Sequence, residues 1–336
     1  MDRARVVRVW IAALAIAGET TADPVVDQSF EGPILSTTTV FDQQEIAQTF
    51  TVGSPGVITM LDIGLTRTEP GPVDGLVVRL NSPLFGYTLG TVQVPAGAVI
   101  PASSGPWTTV DFRSQPVFVS AGQALGIAVT TADPLGGGEY NWVGSTEDTA
   151  YLAGTSYWST PVTGWNSWPG DNARDFLFRV FVDPEPALDP VAILGAWPDR
   201  VRLAYSDNGS VDQRLLKMAS IGDKAVVLAG GDKPSPSKAI KTLGKALKIL
   251  ADLVDEYSGD ALLLQIERGH RFLLRRFAAQ AIEDAEDAGG DEGLLLAASG
   301  LLGEGDAAID AEDAKGAVKL WGKAAKTAAK AAARVD

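Results

Sequence analysis

The sequence predicts a multidomain protein: an all-β, jelly-roll-like sandwich followed by an all-α bundle of helical hairpins. Three observations predict it. Apolar residues alternate with period two from about residue 45 to 182, a proline-rich stretch follows at 183–199, and apolar residues then recur at steps of three and four. The length of 336 residues fits two domains at roughly 150 residues each. Apolar residues at 46% and charged residues at 21% are the composition of chains that bury a core.

The opening residues, MDRARVVRVWIAALAIAGETTADP, read as a signal peptide over 1–22. Arg3, Arg5 and Arg8 make a basic start and Val9 to Ala17 an apolar run. Ala15-Ile16-Ala17 or Thr20-Thr21-Ala22 supplies a small-residue cleavage site. A bilayer needs about 20 apolar residues, so this run is a leader rather than a span. The mature chain is therefore expected to be secreted, extracellular or at the cell surface, with no membrane span. An uncleaved N-terminal helix is the alternative.

Residues 23–182 carry the sandwich. Val57, Thr59, Leu61, Ile63 and Leu65 alternate onto one face. Leu76, Val78 and Leu80 do the same, as do Leu125, Ile127 and Val129, and then Phe176, Phe178, Val180 and Val182. One-faced strands bury their apolar sides together only across a second sheet or inside a barrel. Turn residues at Gly53-Ser54-Pro55-Gly56, Glu69-Pro70-Gly71-Pro72 and Asp133 to Gly138 divide the region into roughly eight or nine strands.

The linker at 183–199, DPEPALDPVAILGAWPD, has no regular period. In the helical domain, 200–336, Ile240, Leu243, Leu247, Leu250, Leu253, Val254 and Tyr257 share one helical stripe. Pro234 and Pro236 mark its start and Gly259 its stop. A second helix is expected from Asp260 to Ala288, with Phe272, Leu273, Phe277, Ala281 and Ile282 toward the core. A shorter pair follows at Glu292 to Leu302 and Ala311 to Val335. Closely linked amphipathic helices of this kind pack as antiparallel hairpins.

A formal charge of -14 disfavours nucleic acid and anionic membrane surfaces, both of which demand a basic face. The absence of cysteine excludes disulfides and thiolate metal sites.

The β region resembles bacterial exported jelly-roll domains of the choice-of-anchor kind, which are similar to carbohydrate-binding modules. The resemblance rests on the order of its pieces. These are AQTFTVGSPGVITMLDIGLTR (47–67), DGLVVRLNS (74–82), WTTVDFRSQPVFVSAGQALGIAV (107–129), EYNWVG (139–144) and DFLFRVFV (175–182). It implies an exported domain similar to carbohydrate-binding modules; members often carry a C-terminal surface-sorting tail, from which the charged Ala/Lys end of this sequence departs. The helical half shows only a generic hairpin style.

Aromatic residues cluster between 139 and 168: Tyr140, Trp142, Tyr151, Tyr157, Trp158, Trp165 and Trp168. Flat rings stack on the C–H faces of sugars, and Asn141, Asp148, Asn166 and Asp171 nearby suit sugar hydroxyls. Alternation places Tyr140 and Trp142 on one strand face, consistent with core, and Trp107 opens a strand as a structural residue. Trp158, Trp165 and Trp168 follow no strand period and are read as loop aromatics, the strongest binding candidates.

Asp171, Asn172 and Asp175 offer oxygen ligands suited to calcium, although turn chemistry explains them as well, and no cofactor is expected otherwise. His270 is the single histidine and falls within a predicted helix, remote from any nucleophile elbow. The acidic residues of the helical half, from Asp252 to Asp287, read as a solvated face. The function expected is therefore binding of a polysaccharide or cell-surface polymer, with the helical domain as spacer or protein-docking unit. The alternatives are an extracellular structural or assembly protein and a glycoside hydrolase using Glu139, Glu147 or Asp148.

Overall fold

The computed structural model describes residues 24–334, apart from 69–70, 83–85, 102–105, 134–137, 146–150, 152, 169–173, 185, 187–192, 195–204, 206–207, 231–233, 258–259 and 312. The signal peptide, most of the linker, Glu147, Asp148, Asp171 and Asn172 lie outside the described residues. The chain divides into two compact units near residue 188, a β unit and a helical unit.

The β unit is a sandwich of two antiparallel sheets. Its strands are β1 (Val25–Phe30), β2 (Ser36–Val40), β3 (Glu45–Thr51), β4 (Gly56–Arg67), β5 (Leu76–Asn81), β6 (Thr88–Val94) and β7 (Trp107–Asp111). They continue with β8 (Val117–Val119), β9 (Ala124–Thr131), β10 (Tyr140–Ser145), β11 (Ser156–Thr160), β12 (Gly164–Ser167), β13 (Asp175–Phe176) and β14 (Phe178–Asp183). The eight-stranded sheet runs β1-β14-β4-β10-β13, with β2 on β10 and β7 and β8 on β4; the six-stranded sheet runs β12-β11-β3-β9-β5-β6.

The strand number exceeds the sequence expectation for a physical reason. β8, β12 and β13 are 3, 4 and 2 residues long, too short to show an alternation, while β1 and β2 precede the periodic region. The expected faces of β5, β9 and β14 are buried: Leu76, Val78, Leu80, Leu125, Ile127 and Val129 are all fully enclosed, as is Val180. Phe50 and Phe178 meet between the sheets at 5.8 Å. β4 departs from one-faced alternation, with both faces largely buried, because it is central and pairs with four strands. Its outward Asp62 accepts from Thr109 Oγ1 at 2.7 Å and faces Arg179, whose guanidinium lies 4.1 Å over Trp107, giving that tryptophan its structural role.

The helical unit comprises α1 (Gly209–Gly230), α2 (Pro236–Glu256), α3 (Ala261–Asp287), α4 (Glu292–Asp310) and α5 (Ala314–Ala332). Each packs on its neighbour in sequence, and α5 also lies against α2 and α3. Pro236 opens α2, and the carboxylates of Asp260, Asp291 and Asp313 cap the N-termini of α3, α4 and α5. The stripe Ile240, Leu243, Leu247, Leu250 and Leu253 is buried, whereas Asp252, Asp255, Glu256, Asp284, Glu286 and Asp287 are exposed.

Two differences from the sequence reading stand out. α1 is not among the helices expected from the sequence: its opening Asn208-Gly209-Ser210 are turn-forming residues, but Asn208 Oδ1 accepts from the Val211 amide at the start of the helix. α4 extends past Leu302 to Asp310, and Gly305 in this extension is a packing position rather than a stop. A Cβ on Gly305 would stand 2.5 Å from the Trp321 indole.

Candidate functional site

Of the three tryptophans read as loop residues, Trp158 and Trp165 belong to a β-hairpin, whereas Trp168 follows its second strand in irregular chain. Thr160 and Gly164 close β11 on β12, Pro161 begins the turn, and Gly164 sits at φ +62°, where glycine carries no Cβ penalty. Thr160 Oγ1 receives the Thr163 amide at 3.1 Å, and Asn166 Nδ2 donates to the Gly164 carbonyl at 2.9 Å. Sequence alternation is hidden here because both strands are short and every second residue is small or polar.

Residues directly opposite in an antiparallel pair share a face, so the pairing register sorts the aromatics. Trp158 faces Asn166 on β12 and Ile46 on β3, and Ile46 is fully buried in the core. Trp158 is therefore on the inner face, one strand in from the edge of the six-stranded sheet. Trp168 joins it there, with ring centroids 6.2 Å apart, and the Arg174 guanidinium lies 5.0 Å from the Trp168 ring.

Tyr157 and Trp165 take the outer face. Trp165 is opposite Ser159, which is opposite Glu45; Tyr157 is opposite Ala47, and Ala47 is opposite Ala128, which pairs with Arg79. Tyr157 and Trp165 are thus diagonal neighbours on adjacent strands. Across two fully buried alanines stands the Glu45–Arg79 ion pair. Burial raises the Glu45 carboxyl above its ordinary range, and Arg79 partly opposes that rise. The outer face of the six-stranded sheet therefore combines two rings with a carboxylate and a guanidinium. Glu45 and Arg79 escaped sequence reasoning because they are far from the aromatics in the chain; a charged residue inside each apolar strand was the available signal.

The structure corrects several candidate assignments. Tyr140 and Trp142 are both fully buried in β10 and present no ring face to a ligand. The Trp142 Nε1 donates to the Leu177 carbonyl at 3.1 Å and its ring stacks on Phe176 at 4.7 Å. The Tyr140 hydroxyl donates to the Asp74 carbonyl at 2.6 Å, and burial pushes its pKa up to about 12.

Tyr151 is a tie rather than a platform. Its hydroxyl donates to Gln28 Oε1 at 2.8 Å, its ring meets Phe178 edge-on at 5.2 Å, and burial again raises its pKa to about 12. Asn141 is paired with Thr39 within the eight-stranded sheet and accepts from its hydroxyl at 3.1 Å, so it is not on the sheet that carries the hairpin. Asn166 spends its amide on the hairpin turn.

Asp175, considered as a calcium ligand, is consumed internally. Its carboxylate accepts from the Tyr151 amide at 2.8 Å and from Gln48 Nε2 at 3.3 Å, and burial raises its pKa. Among the described residues, no group of three or more His, Cys, Asp or Glu side chains is placed to hold a metal ion. His270 is 4% exposed within α3, with Nδ1 on the Ile266 carbonyl at 2.8 Å. Among the described residues no helix is long and apolar enough to cross a membrane. No protein-family model matches the chain, and no curated protein is significantly similar to it.

Proposed function

We propose that this protein is a secreted, non-enzymatic binding protein that holds a glycan or surface polymer on the β11–β12 hairpin, as the resemblance to choice-of-anchor and carbohydrate-binding domains implies. The observation that carries this reading is the placement of Tyr157 and Trp165. They are half-buried, they stand on the outer face of the six-stranded sheet, and β12 is its terminal strand. Rings in that position offer a flat, partly wet surface for sugar C–H faces, with Glu45 and Arg79 within the same face for hydroxyls. Enclosure of His270 in α3 supports a non-catalytic role, since it withholds the single histidine from any site on the sandwich. The helical unit, with its exposed acidic stripe, serves as spacer or protein-docking unit.

Titration of the full chain with a panel of soluble polysaccharides, with and without calcium, tests the reading by tryptophan fluorescence. The expected result is a saturable shift that Trp165→Ala or Tyr157→Ala removes. A flat response across the panel would overturn it and favour a structural or assembly role.

A further inference from the structure

The inner-face half of the hairpin carries chemistry that core plugging leaves unexplained. The cations of the sandwich are Arg67, Arg79, Arg113, Arg174 and Arg179, with no lysine between residues 24 and 183. Arg79 faces Glu45, Arg113 faces Asp111, and Arg179 faces Glu31 and Asp62. Among the described residues, no carboxylate faces Arg174.

Arg174 is nonetheless held in place. Its Nη1 donates to Thr38 Oγ1 at 2.6 Å and to the Thr37 carbonyl at 3.4 Å, and its plane lies over Trp168. That leaves the opposite edge, Nε and Nη2, which is the edge that grips a carboxylate through two parallel bonds. Nε is buried and has no hydrogen-bond partner. The Trp168 Nε1 beside it is also buried without a partner. Buried donors are rarely left unpaired. Here two come from side chains in contact, since Arg174 lies over the Trp168 ring, and the Trp158 ring lies 6.2 Å from that of Trp168.

We propose that Trp158, Trp168 and Arg174 form a subsite for the carboxylate of an acidic sugar. This deepens the glycan-binding reading and rests on it. The carboxylate lies on the Nε/Nη2 edge of Arg174 as the guanidinium slides along the Trp168 ring, the indole N–H donates to the same group, and Trp158 stacks on the sugar. One unpaired cation matches one carboxylate. The net charge of -14 repels a continuous polyanion, so the ligand is a mainly neutral glycan with isolated uronic-acid units.

The test pairs two measurements on the full chain. Calorimetry compares glucuronoxylan oligosaccharides with the same oligosaccharides after reduction of their carboxyls to alcohols. The acidic form is expected to bind about tenfold more tightly, the contrast of a charge-assisted hydrogen bond. Arg174→Gln should erase the preference, whereas Trp168→Phe, which keeps a ring under the guanidinium, should reduce it. Equal binding of the two forms, or a preference that survives Arg174→Gln, would overturn the subsite and leave the glycan reading intact.

Should neither form bind, the glycan reading itself fails, and indole NMR decides the subsite alone. Free glucuronate, but not glucose, should move the Trp168 N–H resonance in the wild type and not in Arg174→Gln. A resonance equally indifferent to both sugars would overturn the proposal.

Discussion

Trp142 and Trp165 are 23 positions apart in the chain and have opposite fates. Trp142 lies on β10, which is flanked by β2 on one edge and by β4 and β13 on the other, so its ring is enclosed and its N–H is bonded to Leu177. Trp165 lies on the last strand of a sheet and faces outward. The rank of a strand in its sheet, more than the residue type, decides whether an aromatic side chain is enclosed or left at the surface. The first ring fills volume that nothing else can fill; the second covers surface that water can also cover.

Four measurements break or sharpen that contrast. The largest effect is expected for Trp142→Ala, which leaves a cavity beside Phe176 and should cost about 3–5 kcal/mol in chemical denaturation. A loss comparable to that of a surface substitution would erase the distinction between the two tryptophans.

His270 gives the equivalent test in the helical unit. Burial holds it neutral and lowers its pKa from 6.5 to about 4. The unfolded chain takes up the proton first as the pH falls, so the stability linked to this group is present above pH 6.5 and is lost as the pH drops toward about 4. The loss should total about 3 kcal/mol. His270→Leu should flatten that part of the stability–pH curve, and an unchanged curve would deny that the imidazole is enclosed.

Gly164→Ala should cost about 1 kcal/mol, because the left-handed backbone penalises a side chain even though a Cβ there meets nothing within 4 Å. The smallest effect is expected for Trp165→Ala, within roughly 0.5 kcal/mol in stability, while polymer binding is lost. A stability loss as large as that of Trp142→Ala would return Trp165 to the core.

The sequence carried the fold wherever one side of an element is buried over several turns or strand repeats. The stripe from Ile240 to Leu253 and the faces of β5 and β9 were legible for that reason. α1 was hidden because its polar start looks like a turn, and the β11–β12 hairpin because strands of five and four residues offer no measurable period. At the candidate site, the enclosure of Tyr140 and Trp142 followed from alternation. The division of Trp158, Trp165 and Trp168 between two faces did not, since it depends on register against β3. Glu45 and Arg79 meet only through the pairing of strands distant in sequence, so the charge that each carries in an apolar strand marks the residue but not its partner.

The choice of arginine for every cation of the sandwich has a practical corollary. The first lysine of the chain is Lys217, in α1, so every side-chain amine belongs to the helical unit. Apart from the N-terminal α-amine, acylating reagents, amine-directed dyes and amine-coupled sensor surfaces therefore act on the bundle and leave the side chains of the hairpin and its sheet untouched. A chain immobilised through its lysines presents the sandwich chemically intact to whatever flows past it.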